Sequence, residues 1–518
     1  MKSSSSSSSI TSHVHEVLPS SVNGLVDCAR HEIRSLLQRV ESPSDTNDII
    51  DDSIEDALDD GFMICDLQVV QNKLDAWLRL FPSVKPCFAL KCNPDVQVAQ
   101  VLGNSGQAGF DCASLSELLL AKDVTTYRGK GNNNNKASLG LEHVVYANPQ
   151  RAEQDLQVAL SEDLGVRALT FDGAQELHKI HAAWQKLQQI QLDNDDQSSS
   201  PLQLILRILV PDLHSSIPLG EKFGAPLTHI PELAQLAQRL HLPIIGISFH
   251  CGSGCHDPDA YAQALRLARQ AMDDVDQVQM RMTTTTTTLP SKCWLLDMGG
   301  GYPGWDGNGG DVGRFSGRRL SENQHPTSVS ESEKIPEVTA DIAKVVVPIL
   351  DELFPSDQYS RISEPGRYFV EAAFMLASRI YKVEVIEDAK TNQRLQHYTI
   401  GHGVQGVFKD VVLCGESFVP IPLRHSMVLL EEEQGQQEEN SNTTATLQQQ
   451  QEQLLKTSVV HGPSGEDYDI VCADCQLPEL QVGDWLLFDR MGAYTLSIAS
   501  RTGRPVIRYV QGGGSPKK

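Results

Sequence analysis

The feature that most constrains this chain is a repeat of short apolar runs, nearly every one closed by a polar or charged residue. The runs are PCFALK (86–91), AGFD (108–111), HVVYAN (143–148), ALTFD (168–172), LQLILRI (202–208), IIGISFH (244–250), CWLLDMGG (293–300) and RISEPG (361–366). Amphipathic helical patterns lie between most of them, such as ELAQLAQRLHL (232–242) and AYAQALRLARQAM (260–272). Apolar strands alternating with helices mean a parallel sheet with crossovers. Eight such units over about 300 residues fit an α/β fold closed as a (β/α)8 TIM barrel, with an open doubly wound sheet as the competing arrangement. The strand ends favour the barrel. Lys91, Asp111, Asn148, Asp172, Arg207, His250 and Glu364 each close a run, and barrel enzymes place their chemistry at the C-terminal ends of their strands.

Beyond about residue 375 the texture changes. ASRIYKVEVIE (377–387), LQHYTIG (395–401), DYDIVCA (467–473), DWLLFDR (484–490), AYTLSIAS (493–500) and PVIRYV (505–510) alternate in the antiparallel manner. Helical patterns vanish, so a second, all-β domain is expected. The expected division is a disordered serine-rich tail over 1–45, a barrel over 66–373, and a β domain built from 46–65 and 374–512. Six polar tracts interrupt this plan: Ser3–Ser9, Asn132–Asn135, Asp193–Ser200, Thr283–Thr288, Ser321–Lys334 and Glu431–Gln453. None has apolar periodicity, so each reads as a solvated insertion or tail. Loop-closure entropy grows only slowly with length, so a scaffold tolerates them.

Composition narrows the function classes. Of 518 residues 40% are hydrophobic, enough for a sizeable core. The net charge of −24 argues against nucleic acid or an anionic membrane as partner. No apolar stretch of about 18 residues is present to span a bilayer, and the N-terminus lacks a secretory core. Eleven scattered cysteines then read as reduced thiols in a cytoplasmic protein.

Four motifs carry chemistry. Lys91 in FALKCNPD ends an apolar strand, where desolvation would lower its pKa and free the amine to form a Schiff base. Gly299, Gly300 and Gly301 in LLDMGGGYPG offer unhindered backbone N–H groups for a phosphate. SFHCGSGC places His250 at a strand end before a Gly-Ser-Gly loop. SEPGRY sets Glu364 and Arg367 around Gly366, either as a structural ion pair or as contacts to a pyridinium nitrogen and a phosphate. One cofactor unites these groups. Pyridoxal phosphate needs a Schiff-base lysine, a carboxylate opposite its ring nitrogen and phosphate donors.

The chain resembles the eukaryotic ornithine decarboxylases, pyridoxal-phosphate enzymes built on an alanine-racemase-like barrel. The matching stretches are FALKCN, GFDCASLSEL, VVYANP, KFGA, GISFHCGSGC, LLDMGGGYPG, SEPGRYFV, LPELQVGDWLLF and MGAYT, in the family's order from about residue 60 to 511. The resemblance implies that Lys91 is the Schiff-base lysine, that His250 stacks on the cofactor ring and that Glu364 pairs with its nitrogen. It implies that Ser253, Gly301, Arg367 and Tyr494 hold the phosphate, and that Asp111, Glu117 and Arg207 surround the cofactor. Lys222 matches a mobile-loop lysine that meets the partner subunit. A homodimer with shared active sites is implied, and with it polyamine biosynthesis; an antizyme-type regulator stays an open partner.

The substrate side departs from the family pattern. The family has an Asn-Asp-Gly stretch whose aspartate contacts the distal amine; here Gly401 and His402 stand at those two positions. It also has a Gly-Pro-Thr-Cys-Asp stretch whose cysteine reprotonates the product carbon. Here Gly465 takes the place of that proton donor, and Glu466 replaces the aspartate. A carboxylate facing an ammonium supplies a charge-assisted hydrogen bond, whereas an ordinary imidazole is mostly neutral at pH 7. Three readings follow: a decarboxylase of ornithine or a related basic amino acid, a pyridoxal-phosphate enzyme for another amino acid, and a non-catalytic regulator like the antizyme inhibitors. The nearby Cys472-x-x-Cys475 lacks the second ligand pair that a zinc site needs.

Overall fold

Every apolar run of the sequence repeat becomes a barrel strand. The computed structural model describes residues 20–41, 61–126, 139–140, 142–193, 200–212, 215–217, 222–282, 292–304, 337–387, 394–426 and 455–510. In chain order the described strands begin with β1 (Gly61–Asp66), β2 (Lys85–Ala89), β3 (Gly109–Cys112), β4 (Val144–Tyr146), β5 (Ala168–Phe171) and β6 (Gln203–Arg207). They continue with β7 (Ser215–Ile217), β8 (Ile244–Ser248), β9 (Ser253–Cys255), β10 (Leu295–Asp297) and β11 (Ser360–Ser363). The closed barrel runs β2-β3-β4-β5-β6-β8-β10-β11 and back to β2, with every pairing parallel. This settles the closed barrel over the open sheet.

The lumen is dry at its base. Cys87, Val145, Ile205, Ile245, Leu295 and Ile362 fill it. Side chains alternate along a strand, so the next inward positions on β2, β10 and β11 are Ala89, Asp297 and Glu364, toward the strand ends. The short antiparallel ribbon β7–β9 sits on the same rim.

The second domain comprises β1 with β12 (Phe374–Glu387), β13 (Arg394–Ile400), β14 (Ile421–Leu423), β15 (Lys456–His461), β16 (Ile470–Leu477), β17 (Trp485–Phe488) and β18 (Val506–Val510). Its sheet runs β14-β17-β12-β13-β15-β16, and β1 joins β12 to β18. The expected antiparallel pattern needs two corrections. β13 with β15 and β1 with β18 are parallel pairs, because long connections, not hairpins, join those strands. The stretch 493–500, expected as a strand, forms turns instead. Its backbone is used elsewhere: Tyr494 N–H donates to Cys92 O at 3.0 Å and Ser497 Oγ to the same oxygen at 3.2 Å. With Asn93 Nδ2 on Gly492 O at 2.8 Å, these bonds latch the β domain to the loop after β2.

The tail expected over 1–45 is also corrected. Ser20–Glu41 forms helix α1. Leu25, Val26, Ala29, Ile33 and Leu36 make one helical stripe, buried against Phe62, Ile64, Met375 and Trp485. Glu32 pairs with Arg508 at 3.2 Å. The serine, asparagine and threonine runs, and the tracts 321–334 and 431–453, lie outside the described residues, as does nearly all of 193–200. Among the described residues no helix is long and apolar enough to cross a membrane.

Candidate active site

Strand register assembles the site. Ala89 of β2 pairs with Asp111 of β3, so Lys91, two residues further on, stands above that carboxylate. Its Nζ lies 2.6 Å from Asp111 Oδ2. Burial alone would lower the Lys91 pKa, but Asp111, Glu364 and Tyr494 together hold it above the ordinary lysine value. This corrects the expectation that desolvation frees the amine. Asp111 is fully buried and, though burial pushes its own pKa up, it outweighs the desolvation of its partner.

Glu364 follows β11 and is buried beside Asp297, the last residue of β10. Burial, with Asp111 and Asp297 as like-charged neighbours, raises the Glu364 carboxyl well above its usual range. Burial likewise raises Asp297 to about 6, even though Gly299 N–H donates to its Oδ1 at 2.9 Å. Glu364 and Asp297 form a buried carboxyl pair, and their closeness favours one keeping a proton. Asp297 is absent from the residues the sequence reading assigned, although it too closes an apolar run. Its three following glycines drew the attention away from it.

His250 follows β8. Its Nδ1 accepts Gly252 N–H at 2.9 Å, which leaves the ring proton on Nε2. Burial, Arg207 and Lys91 push its pKa well down, so the ring is neutral. Gly300 lies between His250 and Glu364: a Cβ there would come 3.0 Å from His250 Nε2 and 2.6 Å from Glu364 O. Gly299 sits at φ +59°, where its backbone closes against Phe249 O. Thus the glycine triplet lets the chain pass where no side chain fits.

A cationic corner faces this group. Arg367 Nε and Nη2 each lie 3.4 Å from Ser253 Oγ, and its guanidinium sits 5.5 Å from the Tyr494 ring. Glu371 holds Arg367 at 3.2 Å. The Glu364–Arg367 ion pair left open by the sequence is not formed; Arg367 turns to Glu371 and Ser253. Gly301 packs against Gly252 beside Ser253, and Gly366 packs on Ala89 and Cys92. Tyr494 adopts φ +56°, an uncommon backbone state that aims its ring at the corner.

Two expected residues are more distant. Both oxygens of Glu117 are used at the start of its helix, on Ala113 N–H at 2.7 Å and Ser114 Oγ at 2.9 Å. Arg207 lies over the Phe223 ring at 5.2 Å and acts on Asp111 and His250 through its charge. Lys222 is exposed.

The substrate-side positions belong to the β domain. His402, next to Gly401, is buried with Nδ1 3.0 Å from Ser378 Oγ. Glu466 and Gly465 are exposed at a loop tip, and Gly465 takes φ +68°. Asp469 organises both loops, accepting from Val404 N–H at 2.8 Å, Ser464 N–H at 3.1 Å and Ser464 Oγ at 2.8 Å.

Known proteins agree with this architecture. Residues 67–371 match the family model of the pyridoxal-dependent decarboxylase, pyridoxal binding domain. Antizyme inhibitor 2 of Xenopus laevis is 32% identical, over 85% of this chain and 78% of its own length. Ornithine decarboxylase of Rattus norvegicus is 31% identical, over 89% of this chain and 84% of its own. The arginine decarboxylase of Paramecium bursaria Chlorella virus superposes with a TM-score of 0.63 at 25% identity, covering 87% of this chain and 95% of that one. The chain therefore belongs to the pyridoxal-dependent decarboxylases, with pyridoxal phosphate as its cofactor.

Proposed function

We propose that the chain decarboxylates ornithine, or a closely related basic amino acid, to a diamine. The observation that carries this reading is the barrel mouth, where Lys91, Asp111 and Glu364 face a corner of Ser253, Arg367 and Tyr494. These residues fit pyridoxal phosphate. Asp111 Oδ1 and Glu364 Oε1 are buried and find no N–H donor among the described residues, so each is an acceptor awaiting a ligand. The glycine triplet threads past Phe249, Glu364 and Gly252 beside the arginine corner, where no side chain would fit. When bound, the cofactor supplies an electron sink that lets the bond to a carboxylate break.

The chain's own residues do the rest. Lys91 would hold the cofactor covalently, and Asp111 would govern the proton on the lysine nitrogen. Glu364, backed by Asp297, would hold a proton toward the cofactor's ring nitrogen. Neutral His250 would pack on the cofactor without competing for that proton. Ser253, Gly301, Arg367 and Tyr494 bind the phosphate; Gly299, Gly300 and Gly366 admit the ring, and Glu117 and Arg207 set the charge around it. The reading includes a cytoplasmic homodimer in polyamine biosynthesis, with antizyme-type control. The β-domain loop of one subunit then completes the barrel of the other, which the exposed Gly465 and Glu466 support. Glu466 is the carboxylate left to meet a distal ammonium; His402, buried and engaged with Ser378, is not built for it.

A regulatory reading, in the manner of the antizyme inhibitor it resembles, draws on the same two losses at 402 and 465. Carbon dioxide release from ornithine, lysine and arginine by the purified protein with pyridoxal phosphate separates the readings. Turnover of ornithine is expected. Silence on all three with the cofactor bound means another substrate; silence with no cofactor bound means a regulator.

A further inference from the structure

The Cys472-x-x-Cys475 motif takes no part in the proposed reaction, yet the fold brings its two thiols together. Both lie on β16, the last strand on the sheet's path, which pairs with β15 alone among the described residues. Three positions apart on a regular strand, the two side chains would face opposite sides. The register prevents this. Ser458 pairs with Cys475 and Val460 with Cys472, so three steps on β16 answer two on β15. The extra residue is a β-bulge. It exposes Ala473 and Asp474 together and turns both cysteines to the buried face.

The geometry suits a covalent link. The two Cα atoms span the rise of two partner residues, about 6.5 Å. That is the upper edge of the range a disulfide bridges, about 4.4–6.8 Å. Cys475 Sγ donates to Ser458 O at 3.4 Å, and each thiol is the neighbour that most affects the other's proton affinity. Contact with Cys475 lowers the Cys472 pKa, and the thiolate is the form that attacks a disulfide. Among the described residues no third His, Cys, Asp or Glu joins the pair in a metal-holding group.

We propose that Cys472 and Cys475 form a thiol-oxidation site that closes an intrastrand disulfide by exchange with a small-molecule disulfide such as glutathione disulfide. The Cys472 thiolate attacks one sulfur of glutathione disulfide, and one glutathione leaves as thiolate. The Cys475 thiol then gives up its proton as it attacks Cys472 Sγ and expels the second glutathione. Two protein thiols lose two electrons and two protons; one glutathione disulfide becomes two glutathiones.

The test treats the full chain with glutathione disulfide, alkylates it with N-ethylmaleimide under denaturing conditions and maps peptides by mass spectrometry. Expected is a peptide linked 472–475, lighter by two hydrogens, about 2 Da, unalkylated at both positions and restored by dithiothreitol. Cys472→Ser and Cys472→Val should each abolish it while near-ultraviolet circular dichroism stays native. Full alkylation of both cysteines after oxidation overturns the proposal. So does a link that forms elsewhere first, for instance between Cys251 and Cys255, which flank the Gly-Ser-Gly loop.

Discussion

The barrel mouth and the β-domain rim, which the proposed function joins in one site, differ in how they are built. At the mouth, register fixes each group. Asp111 lies beneath Lys91 because Ala89 pairs with Asp111, and Glu364 follows a strand paired to β2. Moving any one means slipping a strand in a closed barrel. At the rim the corresponding positions sit on loops, with His402 turned to Ser378 and Gly465 and Glu466 at an exposed tip. Loops accept substitution without disturbing a ladder. The pairing thus fixes the groups proposed for the cofactor, while the positions proposed for the substrate sit where substitution costs the ladder nothing.

If the mouth is rigidly required, breaking it has the largest effect. Lys91→Ala should lower carbon dioxide release by roughly 10³-fold or more, as removal of a covalent catalytic residue does. Absorbance of lysine-bound cofactor should vanish with it. Persistent turnover in this variant would remove the mechanism altogether.

Glu364→Gln separates the mouth's function from its stability. The folded Glu364 pKa is raised, chiefly by burial. A carboxyl raised on folding contributes stability that is full below its unfolded pKa, near 4.3, and is lost as pH rises through the folded value. Glutamine is exempt from that loss. The cofactor-free variant should therefore gain melting temperature over wild type between pH 5 and pH 8, while turnover falls about 10²-fold. A variant that loses stability at pH 8 would mean that the carboxyl is ionised and well paired.

This contrast explains what the sequence could tell. Eight apolar runs sufficed for the barrel because each strand is buried on both faces and reads without interruption. Asp297 escaped because it precedes three glycines that invite a phosphate reading, although it closes its run like the others. The lysine's proton affinity was misjudged because Asp111 is twenty residues away in sequence and adjacent only through register. Helix α1 was hidden behind the serine run, though its stripe of Leu25, Ala29, Ile33 and Leu36 is helical. The turns at 493–500 were unreadable because apolar alternation there serves a latch to Cys92.

At the rim, a substitution toward the family pattern should improve the site. His402→Asp restores a carboxylate, and Ser378 Oγ, 3.0 Å from His402 Nδ1, can donate to it and hold it in place. Ornithine kcat/KM should rise roughly tenfold, the worth of one charge-assisted hydrogen bond of about 1.5 kcal/mol. A gain seen in KM alone would assign the aspartate to binding. No gain in a folded variant would place the anchor at Glu466, and Glu466→Gln should then abolish discrimination between ornithine and an uncharged analogue.

Gly465→Cys is the subtlest case, because restoring a proton donor conflicts with the backbone. Gly465 takes φ +68°, where a side chain is strained by about 1–2 kcal/mol. Space is not the obstacle, since nothing lies within 4 Å of where its Cβ would stand. The melting temperature should drop by about 2–4 °C per kcal/mol of strain, while turnover changes less than in the variants above. If the loop tip faces a second subunit's barrel, the new thiol should also become less reactive toward iodoacetamide when the cofactor and a substrate analogue are bound. A thiol equally reactive in both states would place 465 outside the site, and the rim would then act through Glu466 alone.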